Sequence, residues 1–173
     1  MRPVSFGFGQ AVTRKEDAAL VRGAGRYVAD IAADGALQAV VLRSPHAHAR
    51  FRLADIEAAR AMPGVRLVLT GEDVAAFGHL PCVGIPEGVK VSPPPYPLLA
   101  REVVRHVGDA VAFVVADTLE QAKDAAEAIA VSWEALPHVV DAERAVADGA
   151  PAVWPSVPRN VAFEATLGDK AKT

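Results

Sequence analysis

The residues Arg43-Ser-Pro-His-Ala-His-Ala-Arg50 carry two of the five histidines in a chain of 173 residues. His46 and His48 stand at i and i+2. On a strand that spacing puts both rings on one side, where they could pinch one metal ion. A tetrahedral site needs three or four ligands, and no histidine or cysteine lies close in sequence to complete it. His79, His106, His138 and Cys82 are scattered along the chain. The pair therefore reads either as half of a metal site or as a strand end whose histidines make hydrogen bonds. The missing third ligand favours the second reading, and no metal ligand is assigned.

Other chemistry-bearing patterns are incomplete. Gly7-Phe-Gly9 and Gly23-Ala-Gly25 each begin a G-x-G, but Val12 and Val28 stand where the third glycine belongs. Neither follows a strand, as a dinucleotide site requires. No G-x-x-x-x-G-K-[ST] and no G-x-S-x-G occurs. Cys82 lies in a Pro/Gly loop with no histidine at motif spacing, so it is not expected to be catalytic. Lys90, between two valines, has the look of a carrier-domain lysine, yet it adjoins a proline run rather than a tight hairpin. Glu16-Asp17 and Glu72-Asp73 fit first helical turns, where carboxylates favour the helix dipole. No catalytic, cofactor-binding or metal residue is expected here.

Composition narrows the class. Apolar residues make up 51% and charged residues 23%, ordinary for a globular protein, and the net charge is −3. There is no basic block to argue for nucleic acid. The opening MRPVSFGFGQ has no apolar signal-peptide core. The longest strongly apolar run, residues 110–116, falls far short of the roughly 20 residues a membrane helix needs. A single cysteine fits a reducing cytoplasm.

The elements that must position these residues follow from periodicity and punctuation. Thr13 and Glu16 fit a capping box opening a helix over residues 14–22, with Gly23 as its left-handed exit. Residues 37–42 read as a strand after the turn Asp34-Gly35, and Ser44-Pro45 ends it. Residues 54–62 read as a helix closed by Pro63-Gly64, residues 65–69 as a strand, and 71–77 as one or two helical turns. Residues 78–97 form a long Gly/Pro-rich loop, of a length that suggests it covers a partner or a site. Strands are expected over 103–107 and 110–115, with Gly108-Asp109 as a hairpin turn or bulge. Thr118 and Gln121 form a second capping box, opening a helix to about residue 128 whose apolar stripe is Leu119, Ala122, Ala125, Ala126 and Ile129. A strand over 129–134, a short helix over 141–147, an extended connection over 150–158 and a last strand over 161–167 complete the chain.

Taken together, RKEDAALVRGAGRYVADI (14–31), LRSPHAHARF (42–51), PGVRLVLTGEDV (63–74) and HVGDAVAFVVADTLEQAKDAAEAIAVSWEALPHVVD (106–141) resemble the N-terminal α/β-hammerhead domain of the molybdenum hydroxylase large subunit. This is the family of xanthine dehydrogenase, aldehyde oxidase and the large subunit of aerobic carbon monoxide dehydrogenase. Members similar to carbon monoxide dehydrogenase often carry Glu-Pro where this chain has Asp109-Ala110, a small departure.

The resemblance implies an α+β hammerhead with a mixed sheet of two strand–helix–strand halves. It implies an arm over 1–19, the hammerhead over 20–148, and a linker with a first strand over 149–173 leading into a molybdopterin-binding domain beyond this chain. It places His46 and His48 in scaffold. The molybdenum cofactor, molybdopterin cytosine dinucleotide or a relative, is expected in the domains that follow, with 2Fe-2S and FAD in partner subunits or domains. The expected partners are those molybdopterin-binding domains, an iron–sulfur subunit and a flavin subunit. The expected role is structural support and subunit docking, the chain itself being inactive. Two other roles stay open on the residues alone: an autonomous binding module using the 78–97 loop and exposed sheet edges, and a small metalloprotein built on His46 and His48.

Overall fold

The fold follows from where branched residues alternate and where alanines let backbones approach. In a computed structural model, which describes residues 12–31, 33–81, 89, 91, 93–165 and 168, the chain divides into two compact units, Met1–Ala36 and Leu37–Thr173.

The first unit carries one short helix, α1 (Asp17–Leu20), and a 3₁₀ turn at Val28–Asp30. The expected Thr13–Glu16 capping box does not form. The helix begins later, and the Asp17 carboxylate accepts from the Arg14 amide at 2.9 Å, satisfying a free N–H just ahead of the helix. Gly23 takes the left-handed exit, with φ of 69°. None of the described residues of this unit is buried.

The second unit contains β1 (Gln38–Arg43), β2 (Ala49–Ala54), α2 (Ile56–Arg60), β3 (Val65–Thr70), β4 (Val103–Val104), β5 (Ala110–Ala116), α3 (Leu119–Ala128), β6 (Ala130–Ala135) and α4 (Ala142–Ala145). Two three-stranded sheets result, ordered β1-β5-β3 and β4-β2-β6. Every ladder is antiparallel, where a mixed sheet was expected. The architecture is α+β.

β5 organises the interior because its two faces meet different cores. Ala112, Val114 and Ala116 join Val68, Ala59 and the α3 alanines in the larger cluster. Val111 points the other way, into a smaller cluster with Ala49, Phe51, Ala100 and Val104. That is the period-two alternation of a strand serving two layers. The larger core is thin by composition: Ala122, Ala125 and Ala126 bring the α3 backbone close to the sheet. Thr118 caps α3 as expected, its Oγ1 accepting from the Gln121 amide at 3.2 Å while Gln121 Oε1 accepts from the Thr118 amide at 3.0 Å.

Three other expectations give way. β2 is a strand where the stretch 43–50 reads in sequence as a strand end, because its backbone pairs with β6 while Ala49 and Phe51 turn one face into the smaller core. Gly108-Asp109 does not make a hairpin: β4 pairs with β2, β5 with β1 and β3, so this turn carries the chain from one sheet to the other. Gly108 supplies the positive φ it needs, 89°. Of the last expected strand, only an isolated bridge between Phe163 and Val91 forms among the described residues, because no neighbouring strand continues the ladder.

Sheet β1-β5-β3 is apolar on both faces. Val41, Phe113 and Leu69 line up across one side, with Ala39, Val115 and Leu67 beside them. None of these belongs to either core cluster, and Leu67 is 44% exposed.

Candidate functional site

His46 and His48 do not share a strand face. Both lie in the connection between β1 and β2. Ser44 is buried and organises this turn: its amide donates to the Asp109 carbonyl at 2.8 Å and its carbonyl accepts from the Gly108 amide at 2.7 Å. The Ser44 hydroxyl accepts from the His46 amide at 3.0 Å. The His46 ring lies against Trp133, centroids 5.2 Å apart. The His48 Nδ1 donates to the Pro137 carbonyl at 2.9 Å, and its own carbonyl accepts from the Leu136 amide. The two rings are thus committed to different neighbours. His138 donates through Nδ1 to the Leu136 carbonyl. His79 sits in a bridge with Pro97 that closes the ends of the 78–97 loop. Cys82, Lys90, Gly7 and Gly9 lie outside the described residues.

A denser polar cluster forms where the sequence promised only a turn. Asp109 is 6% exposed. Its Oδ2 accepts from the Arg105 amide at 2.9 Å and its Oδ1 from the Tyr96 hydroxyl at 3.0 Å. The same hydroxyl contacts His106 Nε2, while His106 Nδ1 donates to the Val107 carbonyl at 2.9 Å. The Arg105 guanidinium lies over the Trp154 ring, 3.6 Å from its centroid. Burial, reinforced by the Asp109 charge, pushes the Tyr96 phenol up to about 12. Burial also lowers the Arg105 pKa, against the pull of Asp109. The geometry fastens three segments: the end of the Pro-rich loop, the inter-sheet turn and the C-terminal connection. Asn160 extends this bracing, accepting from the Val153 amide at 2.8 Å and donating to the Ala145 and Pro151 carbonyls. An acid flanked by glycine and a strand is the sequence signal that could have marked Asp109 as a buried acceptor.

A groove of about 980 Å³ lies beside β2. One wall is Arg50–Leu53 with Ser132–Glu134 of β6 behind it. The other is Thr70–Glu72 against Ala100–Glu102, and Ile56 lies at its edge. Two devices hold the second wall. A Cβ on Gly71 would stand 2.5 Å from the Ala100 carbonyl oxygen, so only glycine permits this approach. Arg101 then grips Glu72 with two hydrogen bonds of 2.9 and 2.7 Å. That contact lowers the Glu72 pKa and raises that of Arg101. The arrangement offers guanidinium groups and strand backbone, the chemistry of recognition rather than of bond making. Among the described residues no group of three or more His, Cys, Asp or Glu side chains could hold a metal ion.

The comparisons agree with this geometry. The family model of the aldehyde oxidase and xanthine dehydrogenase a/b hammerhead domain matches residues 22–137. The nicotine 6-hydroxylase large subunit of Paenarthrobacter nicotinovorans is 39% identical over 168 residues, 93% of this chain and 20% of that protein. The carbon monoxide dehydrogenase large chain of Hydrogenophaga pseudoflava is 36% identical over 171 residues, 92% of this chain and 20% of that one. Among solved structures, quinoline 2-oxidoreductase from Pseudomonas putida 86 superposes with a TM-score of 0.62 at 43% identity, covering 79% of this chain and 17% of its own. This chain spans about a fifth of the length of the curated relatives it matches. A sheet pair built around β5, a capped alanine-rich helix and this extended match together place the chain in the aldehyde oxidase and xanthine dehydrogenase α/β-hammerhead family.

Proposed function

We propose that this chain is the structural and subunit-docking portion of a molybdopterin-dependent oxidoreductase, a hydroxylase or dehydrogenase acting on aldehydes, purines or CO-like substrates, and that it does not itself catalyse. The observation that carries the reading is the second apolar face of sheet β1-β5-β3, half-buried at Val41, Leu69, Phe113 and Val115 and exposed at Leu67 among the described residues. A sheet apolar on both sides needs cover on both. Residues 20–148 are the scaffold in this reading, 1–19 an arm, and 149–173 the passage to a molybdopterin-binding domain. The family supports molybdopterin cytosine dinucleotide or a relative there, with 2Fe-2S and FAD on an iron–sulfur and a flavin partner. The described residues of this chain do not fit a metal or cluster ligand set, so no chemical step is derived through them. Among them no helix is long and apolar enough to cross a membrane, and a cytoplasmic setting fits the single cysteine.

The test is reconstitution. The chain alone, offered aldehyde, purine and N-heterocycle substrates with a dye acceptor, is expected to give no turnover and no stoichiometric molybdenum. Mixed with the catalytic remainder of a related large subunit and its iron–sulfur subunit, it is expected to join a stable complex. Turnover by the chain alone, or failure to join, overturns the proposal. A second reading, an autonomous protein-binding module, is favoured by the groove beside β2, and stable binding of a peptide without any oxidoreductase partner would select it.

A further inference from the structure

The groove beside β2 exists because β4 is too short. β2 is six residues long and pairs along its whole length with β6, but its ladder with β4 covers only Ala49 and Arg50. Phe51 then donates its amide to the Glu102 carbonyl at 2.9 Å. Beyond it the chain leaves the sheet, since Ala100 donates instead to the Ala110 carbonyl. Successive residues of a strand direct their amides and carbonyls to alternate sides. Phe51 points to the β4 side, so Leu53 does too, and no ladder partner meets it there among the described residues. The backbone of Leu53 presents an unused donor and acceptor at the edge of a pre-formed groove, the arrangement that β-strand addition uses.

Side chains indicate what kind of strand fits. Arg50 and Arg52 project from the same exposed face of β2, and neither forms an ion pair among the described residues. The groove also holds carboxylates, but they are placed unevenly. Glu72 is gripped by Arg101, Glu134 stands across from Arg50, and Glu102 lines the other wall, its carbonyl accepting from the Phe51 amide. Arg52 stands across from the uncharged Ser132. The guanidinium next to the free backbone is therefore the one with no carboxylate opposite it.

We propose that this groove receives a short extended acidic polypeptide segment as an added strand beside β2, its backbone paired with Leu53 and a carboxylate on Arg52. This deepens the docking reading by naming a surface and the chemistry of its partner, and it rests on that reading only for the partner's identity.

The probes are a fluorescein-labelled hexapeptide of alternating threonine and glutamate, its lysine counterpart, and the acidic peptide with N-methylated backbone amides. Anisotropy titrations on the full chain are expected to show the acidic peptide binding roughly tenfold more tightly than the lysine one. N-methylation should abolish binding, and added salt should weaken it. In an assigned NMR spectrum the Leu53 amide should move on binding. Arg52→Glu should invert the preference, and Arg52→Gln, a milder change on an exposed site, should remove it. Equal binding of acidic and lysine peptides, an N-methylated peptide that binds like its parent, or no binding of the acidic peptide each overturns the proposal. A chain that joins the oxidoreductase complex yet ignores the acidic peptide loses strand addition and keeps the docking reading. One that binds the peptide and never joins the complex does the reverse.

Discussion

The two sheets solve opposite problems. Sheet β1-β5-β3 buries Val68, Ala112, Val114 and Ala116 beneath α3 and carries a second apolar side that enters a core cluster only at Val111. Sheet β4-β2-β6 buries Phe51 and Val104 on one side and turns Arg50, Arg52, Ser132 and Glu134 outward on the other. The first is built to be covered by apolar material, the second to meet something polar and specific. A scaffold between larger domains needs both kinds of surface, and β5 joins them by feeding Val111 to one core and Val114 to the other.

The largest expected effect separates the two sides of the first sheet. Val114 is wholly buried, so Val114→Asp places an unpaired carboxylate in the core and should cost at least about 4 kcal/mol, enough to lose cooperative unfolding. Leu67, on the neighbouring strand but the opposite side, is 44% exposed. Leu67→Asp should change stability by less than about 1 kcal/mol while preventing entry into the oxidoreductase complex. Urea denaturation and size-exclusion chromatography read the two outcomes. If both variants unfold alike, the second side is core and the contrast is lost.

Next comes the wall of the groove. Gly71→Ala drives a Cβ against the Ala100 carbonyl, a backbone atom that cannot swing away. A loss of about 1–3 kcal/mol in chemical denaturation is expected, with weakened binding of the acidic peptide, because the wall must shift. A neutral Gly71→Ala would mean that the two segments are not held as described.

The polar cluster around Asp109 gives a pH test. Tyr96→Phe leaves Asp109 one donor short in a buried site and should cost about 1.5–3 kcal/mol at neutral pH. Tyr96 has its pKa raised on folding from an ordinary value near 10 to about 12, so folding favours the neutral phenol. The stability it contributes is complete below pH 10 and lost as pH rises towards 12. Wild type should therefore lose stability across that window more steeply than Tyr96→Phe, as measured by fluorescence-detected urea unfolding at stepped pH. Parallel curves would remove Tyr96 from the cluster.

How legible each part was in the sequence follows the same division. α3 was readable to within a residue because capping, periodicity and the alanine stripe all agree, and each is a local signal. Thr118→Ala should show this locality by costing about 1 kcal/mol with no other change, on the same denaturation measurement. β2 was hidden because its strand character comes from pairing with β6, some eighty residues away, and Ser-Pro-His-Ala-His obscures its start. The turn at Gly108-Asp109 looked like a hairpin because adjacent strands usually pair; here the short β4 is drawn to β2 instead. The groove was invisible for a related reason. It is made by a strand that stops early, and by Gly71 meeting Ala100 across nearly thirty residues. The histidine pair drew attention by spacing alone, while Asp109, which organises more of the structure, looked like an ordinary turn residue.

The smallest expected effect on folding bears most directly on what the second sheet is for. Arg50 and Arg52 are exposed and form no ion pair among the described residues, so Arg50→Ala and Arg52→Ala should each alter stability by no more than about 0.5 kcal/mol. Neither touches the cores beneath β2, where Phe51 and Ala49 point the other way. Their binding effects should differ from each other, since Glu134 faces Arg50 and only Ser132 faces Arg52. Arg52→Ala is expected to lower affinity for the acidic peptide roughly tenfold, and Arg50→Ala much less, because its charge is already partly offset. Paired melting curves and anisotropy titrations on the same preparations decide it. Equal losses from both variants would make the outer face a diffuse positive surface rather than a position-specific one. A folding defect in either would return these arginines to the architecture and leave the second sheet no different in kind from the first.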